Sequence, residues 1–380
     1  VGSEKEGDDR IESAGDSPEG MLRELMSHSP EQRVMLVENS ERFRSVALCE
    51  LALKRGFELG GRDPAKALEL TDLAVRIVEP LSSEEGSTSL IDLQARAHAF
   101  KGNALRIGSD FIEATRSLAI AGDLASNQPC GPSTRATVHA LQGSLLGEQL
   151  DFDGCISSLD KAIELYRQAG QAVEVVRTSL VKAMHLANGG RPETAAQSLV
   201  RILKDVDELS VPRLSLAVRH NLAFSLVACG RIEEAKKHVP DIRKLHMSIG
   251  NSVDLMRFKW LEGQIAVDSD RWSEAEGLFV EVKQFFVEKG MAHDVALVSL
   301  DLAHVYLRQD RIAELKSLAA EMLTIFRALR VHQETLAALA FCRKALEVEQ
   351  LTVGLVSELA ACLEKARERA RFGVGLSVAE

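Results

Sequence analysis

The chain has 380 residues, with 46 Lys and Arg against 56 Asp and Glu, giving a formal net charge of −10. With 46% hydrophobic and 27% charged residues it has globular composition, which excludes a mainly disordered chain. The acidic balance argues against a general nucleic-acid binder, which carries a basic surplus.

Residues 1–20 are rich in Gly, Ser, Asp and Glu and read as an acidic, disordered tail with no apolar signal segment. The chain opens at Val1, so an upstream segment with an output domain is an open alternative. Ordered structure is expected over 21–371 as one helical array, with a second tail at 372–380. Ser29-Pro30-Glu31-Gln32 is a helix start, with Ser as cap and Pro at the first helical position. A helix over about 41–60 then opens the array. Arg62-Asp63-Pro64-Ala65-Lys66-Ala67 is the first, irregular copy of a motif that recurs down the chain.

The regular copies each combine a turn, a polar first helical turn and an anchor residue. The anchors are Ala114, Cys155, Ala195, Ala235, Ala275 and Leu315, spaced by 41, 40, 40, 40 and 40. Twelve residues before each anchor stands a small residue: Gly102, Gly143, Ala183, Ala223, Gly263 and Ala303. Seven after it stands an apolar one: Ala121, Ala162, Ile202, Ile242, Val282 and Met322. Small residues at fixed points on successive helices let those helices approach closely, and apolar residues between them recur with helical period. Beyond the last copy, helices at about 332–349 and 352–371 follow, the second with a polar face suited to cap a helical stack.

Chemistry-bearing motifs are missing. The sequence contains no GxxxxGK[ST], no HExxH and no GxSxG. His139, His185 and His293 read as ordinary helix residues, and Glu233-Glu234 as acids favoured by a helix N-terminus. His220 and Cys229, nine residues apart on one helix, are separated by about 13 Å at a rise of 1.5 Å per residue and form no dyad. No catalytic residue, metal or cofactor is expected. The six cysteines are dispersed with no CxxC pair, which fits free thiols in a cytoplasmic protein. No apolar run reaches the roughly 18–20 residues of a membrane span.

This repeat resembles the tetratricopeptide family. The resemblance rests on sets such as Gly102, Ala114, Leu118, Ala121 and Gly263, Ala275, Phe279, Val282, and covers about residues 41–330. The period of 40 exceeds the usual 34, so the helices are longer, as in bacterial regulators and sensors. The large aromatic typical of the first helix is absent; His98, His139, Ser179, Arg219, Lys259 and Ser299 stand in its place.

The resemblance implies an all-α, right-handed superhelix of about seven antiparallel helix pairs. It also implies a concave groove lined by first-helix residues. Carried over, these include Arg96, Asn103, Arg106, Arg177, Met184, His220, Asn221, Phe224, Arg257, Trp260, Gln264, Asp301 and His304. Arg96, Arg177 and Arg257 recur at every second repeat. They suit ligand carboxylates through paired hydrogen bonds, or else pair with acids on neighbouring helices. Trp260 is either a binding anchor or a core ring.

Two functions follow from the resemblance. The first is a non-enzymatic scaffold that holds a protein or peptide partner, acidic groups included, with no direct nucleic-acid or membrane contact. The alternative is a ligand- or peptide-sensing module of a bacterial regulator. The sequence leaves the oligomeric state open.

Overall fold

A computed structural model describes residues 17–321, apart from 61–62, 82–87, 128, 316 and 319–320. Every regular element among the described residues is helical. They fall into two compact units, one ending at Gln171 and the other starting at Ala172. The first unit contains α1 (Pro18–Met26), α2 (Pro30–Asn39), a 3-10 turn at Glu41–Phe43, α3 (Val46–Leu59), α4 (Pro64–Val78), α5 (Thr88–Ile107), α6 (Phe111–Asn127), α7 (Pro132–Glu148) and α8 (Phe152–Gln168). The second contains α9 (Ala172–Asn188), α10 (Pro192–Leu209), α11 (Pro212–Ala228), α12 (Ile232–Ile249), α13 (Ser252–Val267), α14 (Trp272–Glu288) and α15 (Ala292–Arg308). The helices expected at 332–349 and 352–371 and the tail at 372–380 lie outside the described residues.

Two N-terminal expectations need correction. Helix α1 begins inside the segment read as tail, because Ser17 caps it by accepting from Gly20 N at 3.1 Å. The helix expected over 41–60 starts only at Val46, where Ser45 takes the cap role. The start at Ser29 is as expected: Gln32 N donates to Ser29 Oγ, and Ser29 N donates to Gln32 Oε1.

Helices pack as antiparallel neighbours: α3 with α4, α5 with α6, α7 with α8, then α9 with α10, α11 with α12, and α13 with α14. The turns explain the period. Residues in the left-handed region occur at Ser109, Leu150, Gly170, Gly190, Ser210, Gly230, Asp270, Gly290 and Asp310. From 150 to 310 they recur every 20 residues, except at Gly250, whose φ is −68°. The following amide reaches back to close the helix end. Gln171 N donates to Tyr166 O, Arg191 N to Leu186 O, Arg231 N to Leu226 O and Arg271 N to Ala266 O, each at 2.9 Å. This left-handed closure satisfies carbonyls that a helix end otherwise leaves open. The 40-residue repeat is therefore two half-repeats, each a helix and its closing turn. The exception follows α12, which also carries Pro240 in its interior.

At the start of the second helix of a pair, the residue after the left-handed one acts in two ways. In the first unit Asp110 and Asp151 accept from the amides of Glu113 and Gly154 at 3.2 and 3.0 Å. In the second unit this place is held by Arg231, Arg271 and Arg311, which pair with Glu234, Glu274 and Glu314 three residues on.

Small residues set the helix spacing. A Cβ at Gly102 would lie 2.7 Å from Leu118 Cγ, one at Gly143 2.9 Å from Leu159 Cγ, and one at Gly263 2.5 Å from Phe279 Cε1. Each apolar partner stands four residues after the anchor, and the anchor's own carbonyl lies 3.3 Å from the Gly102 position and 3.2 Å from that of Gly143. The small residue therefore lets the first helix settle on the anchor turn of the second. All six anchors are buried. Among the described residues no helix is long and apolar enough to cross a membrane.

Candidate ligand-binding face

Within each unit the first helices of successive pairs also touch: α3 with α5 and α5 with α7; α9 with α11, α11 with α13 and α13 with α15. The sequence-predicted residues lie on these helices. In the first unit Arg96 of α5 pairs with Glu50 of α3 at 3.1 Å. Asn103 Oδ1 accepts from Arg106 at 3.2 and 2.9 Å, and Arg106 also pairs with Glu148 of α7. These side chains are partly exposed.

In the second unit Arg177 pairs with Glu174, one turn earlier on α9, at 3.3 Å, and Met184 is partly buried. Arg257 of α13 meets Asp294 of α15 at 3.4 Å. Its Nε is buried and has no hydrogen-bond partner among the described residues. Asp301 of α15 accepts from Trp260 Nε1 at 2.7 Å and from Gln264 Nε2 at 2.8 Å, both on the same carboxylate oxygen. Trp260 is 1% exposed, with its ring edge-on to Phe286 at 6.1 Å. Asn221 Nδ2 donates to Ala217 O, one turn back on its own helix. His220 packs against Phe224 at 6.5 Å, and His304 lies 6.2 Å from Trp272.

Of the thirteen residues, seven are buried: His220, Asn221, Phe224, Trp260, Gln264, Asp301 and His304. They are packed inside the second unit rather than opening to solvent. The three arginines of the expected row each meet a carboxylate of the chain itself. The structure brings Trp260, Gln264 and Asp301 into one cluster and sets Arg257 near His220.

Further residues complete this face. Arg213 of α11 pairs with Asp254 of α13, whose side chain is 3% exposed. Asp254 and Asp294 stand one repeat apart, a spacing that was available to find them. His246 of α12 packs on Phe258 at 5.2 Å.

His220 is completely buried, and neither ring nitrogen has a hydrogen-bond partner among the described residues. Burial, with the positive fields of His246 and Arg257 added, pulls its pKa down to about 3. The neutral ring is favoured in the fold, whereas the unfolded chain takes up a proton below about pH 6.5. The His220 contribution is thus fully present above pH 6.5 and is lost as pH falls from there towards 3. The loss is about 1.4 kcal/mol per pH unit. In urea unfolding at pH 7, 6, 5 and 4, His220→Leu should remove one proton's worth of this slope. Parallel curves for the variant and the native chain would contradict that assignment.

A scan against protein-family models finds no match for the chain, and neither does a search of the curated proteins. Solved structures do match. A Rap protein complexed with competence and sporulation factor aligns with 84% of this chain and 87% of its own, at TM-score 0.65 and 12% identity. NprR in complex with its cognate peptide NprX aligns with 82% and 88%, at TM-score 0.59 and 12% identity. A signal-transduction ATPase with a tetratricopeptide repeat sensor, from Pyrococcus horikoshii, aligns with 94% of this chain and 53% of its own. Its TM-score is 0.55 and its identity 10%. The chain has the tetratricopeptide-repeat fold. Identities this low carry the fold alone. On the first-helix face of this chain, cations and carboxylates link one pair to the next.

Proposed function

We propose that the chain is a binding rather than a catalytic protein: a peptide-responsive helical scaffold in which an extended peptide engages the first-helix face. It operates in the cytoplasm, a setting that suits Cys49, Cys130, Cys155 and Cys229, none of which is in a disulfide among the described residues. The observation that carries this reading is the polar bridging between consecutive first helices. Such links position helices and can also be exchanged. A peptide carboxylate that takes Arg257 from Asp294, its partner at 3.4 Å, gains the buried Nε as a second donor. Asp294 is then released, and the α13–α15 spacing responds to the ligand. A ligand shifts a conformational equilibrium only by such differential contacts. The complexes of the Rap protein with competence and sporulation factor and of NprR with its cognate peptide NprX support this direction, since both share the fold.

The test is to pan a phage-displayed library of random linear heptapeptides on the purified chain. Enriched peptides should carry a carboxylate and should bind Arg257→Glu at least about tenfold more weakly, a difference of about 1.4 kcal/mol. Circular dichroism controls for folding of the variant. Absence of enrichment over the bare support, or enriched peptides indifferent to Arg257→Glu, would remove the reading.

A further inference from the structure

A separate feature lies in the first unit, away from the face described above. An open cleft between α6 and α7 encloses about 260 Å³. Its polar wall comes from Asp123 and Ser126 of α6 and from Arg135, His139 and Gln142 of α7. The sequence accounts for the space. His139 stands at the first-helix position where the resembled family carries a large aromatic, and Ala119, Gly122 and Ala125 put small side chains on the α6 wall beside Asp123 and Ser126. Gly122 matters here because a Cβ would stand 2.6 Å from Gln142 Nε2. That amide crosses the seam and donates to Leu118 O at 3.1 Å, which fixes one wall.

The charge arrangement here differs from that of two later pairs. In the α11–α12 and α13–α14 pairs, the residue equivalent to His139 meets an acid 22 positions on. Arg219 pairs with Asp241 and Lys259 with Glu281. In the α7–α8 pair that acid is replaced by Lys161. Among the described residues no ion pair joins Lys161 or Arg135 to an acid. The resulting positive field is felt by His139, whose pKa is lowered by burial and further by Lys161 and Arg135. Asp123 supplies one acceptor on the α6 side. A concave site with a guanidinium, an imidazole, an amide and a hydroxyl converging on it has the make-up of a small-ligand pocket.

We propose that the α6–α7 cleft binds a compact anion that also carries a hydrogen-bond donor. A phosphate or carboxylate engages Arg135 and His139, with Lys161 adding attraction from the edge, and an ammonium or hydroxyl group of the same molecule engages Asp123. The ligand class is a phosphorylated or carboxylated metabolite of amino-acid size, distinct from any peptide on the first-helix face.

Isothermal titration with O-phosphoserine and with L-malate tests the phosphate and carboxylate forms. At least one should give saturable binding, and Arg135→Glu should weaken it by about tenfold or more, as expected for loss of a charge-assisted fork. Lys161→Glu should weaken it less. Arg135 and Lys161 are exposed, so both variants should keep their helicity, and circular dichroism checks this. Inorganic phosphate, which lacks the ammonium group, should bind more weakly than O-phosphoserine to the native chain. Asp123→Asn should narrow that gap. No saturable heat from either probe, or equal affinity for the native chain and a folded Arg135→Glu, would overturn the proposal.

Discussion

Replacing Gly263 by leucine should lower the stability of the second unit by about 3 kcal/mol, the upper part of the range for overpacking a closed core. The Cβ alone would stand 2.5 Å from Phe279 Cε1, and Phe279 is fully buried. Its ring therefore has no free direction in which to retreat, and α13 must move away from α14. That movement would also strain the Trp260–Asp301 link, since Trp260 lies on α13. The control is Gly277→Ala on α14. A Cβ there meets nothing within 4 Å, so the exchange should stabilise by up to about 1 kcal/mol through helix propensity. Urea midpoints at constant m-value report both. Equal, small effects of the two substitutions would show that helix spacing does not depend on the small residue.

Removing the Asp301 carboxylate is expected to be as costly. Asp301→Ala leaves the buried Trp260 N–H and Gln264 amide without their common acceptor. Two charge-assisted hydrogen bonds of about 1.5–3 kcal/mol each place the loss at about 3–6 kcal/mol. Asp301→Asn keeps an acceptor oxygen and should lose less. Indole fluorescence gives a local readout: Trp260 is 1% exposed, and losing its acceptor should shift emission before global unfolding begins. Native stability and unchanged emission in Asp301→Ala would mean that the cluster contributes nothing to holding α13 against α15.

The repeat, its anchors and the small-residue partners were legible in the sequence because they follow local rules. Closing turns demand particular residues, and close helix approach demands Gly or Ala. The same spacing separates Asp254 from Asp294, but periodicity alone does not say that these acids face the arginines of the preceding first helix. That pairing depends on how consecutive first helices lie together, and it decides whether Arg257 is free for a ligand. Trp260 illustrates the limit. Its register places it on the first-helix face, while its burial comes from Phe286 and Asp301 on two other helices. Residues 17–20 misled for a simpler reason: their polar composition resembles a tail, and one serine cap is enough to start α1. The α6–α7 cleft was half legible. The missing aromatic at His139 was visible, but the cleft also depends on Ala119, Gly122 and Ala125 on the α6 wall.

The half-repeat closed by a left-handed residue has a kinetic consequence. Each 20-residue segment finishes its own helix end, and the links that join pairs span about one repeat: 41 positions from Arg213 to Asp254, 37 from Gln264 to Asp301 and 42 from Arg106 to Glu148. Chain closure over such short distances costs little entropy, and topologies dominated by near-neighbour contacts fold rapidly. Either unit can therefore begin to order at any helix pair and grow outward by adding the next, with no distant strand or terminus required to complete the nucleus. Helix α12, with Pro240 inside it and no left-handed closure at Gly250, is the place where such growth should pause.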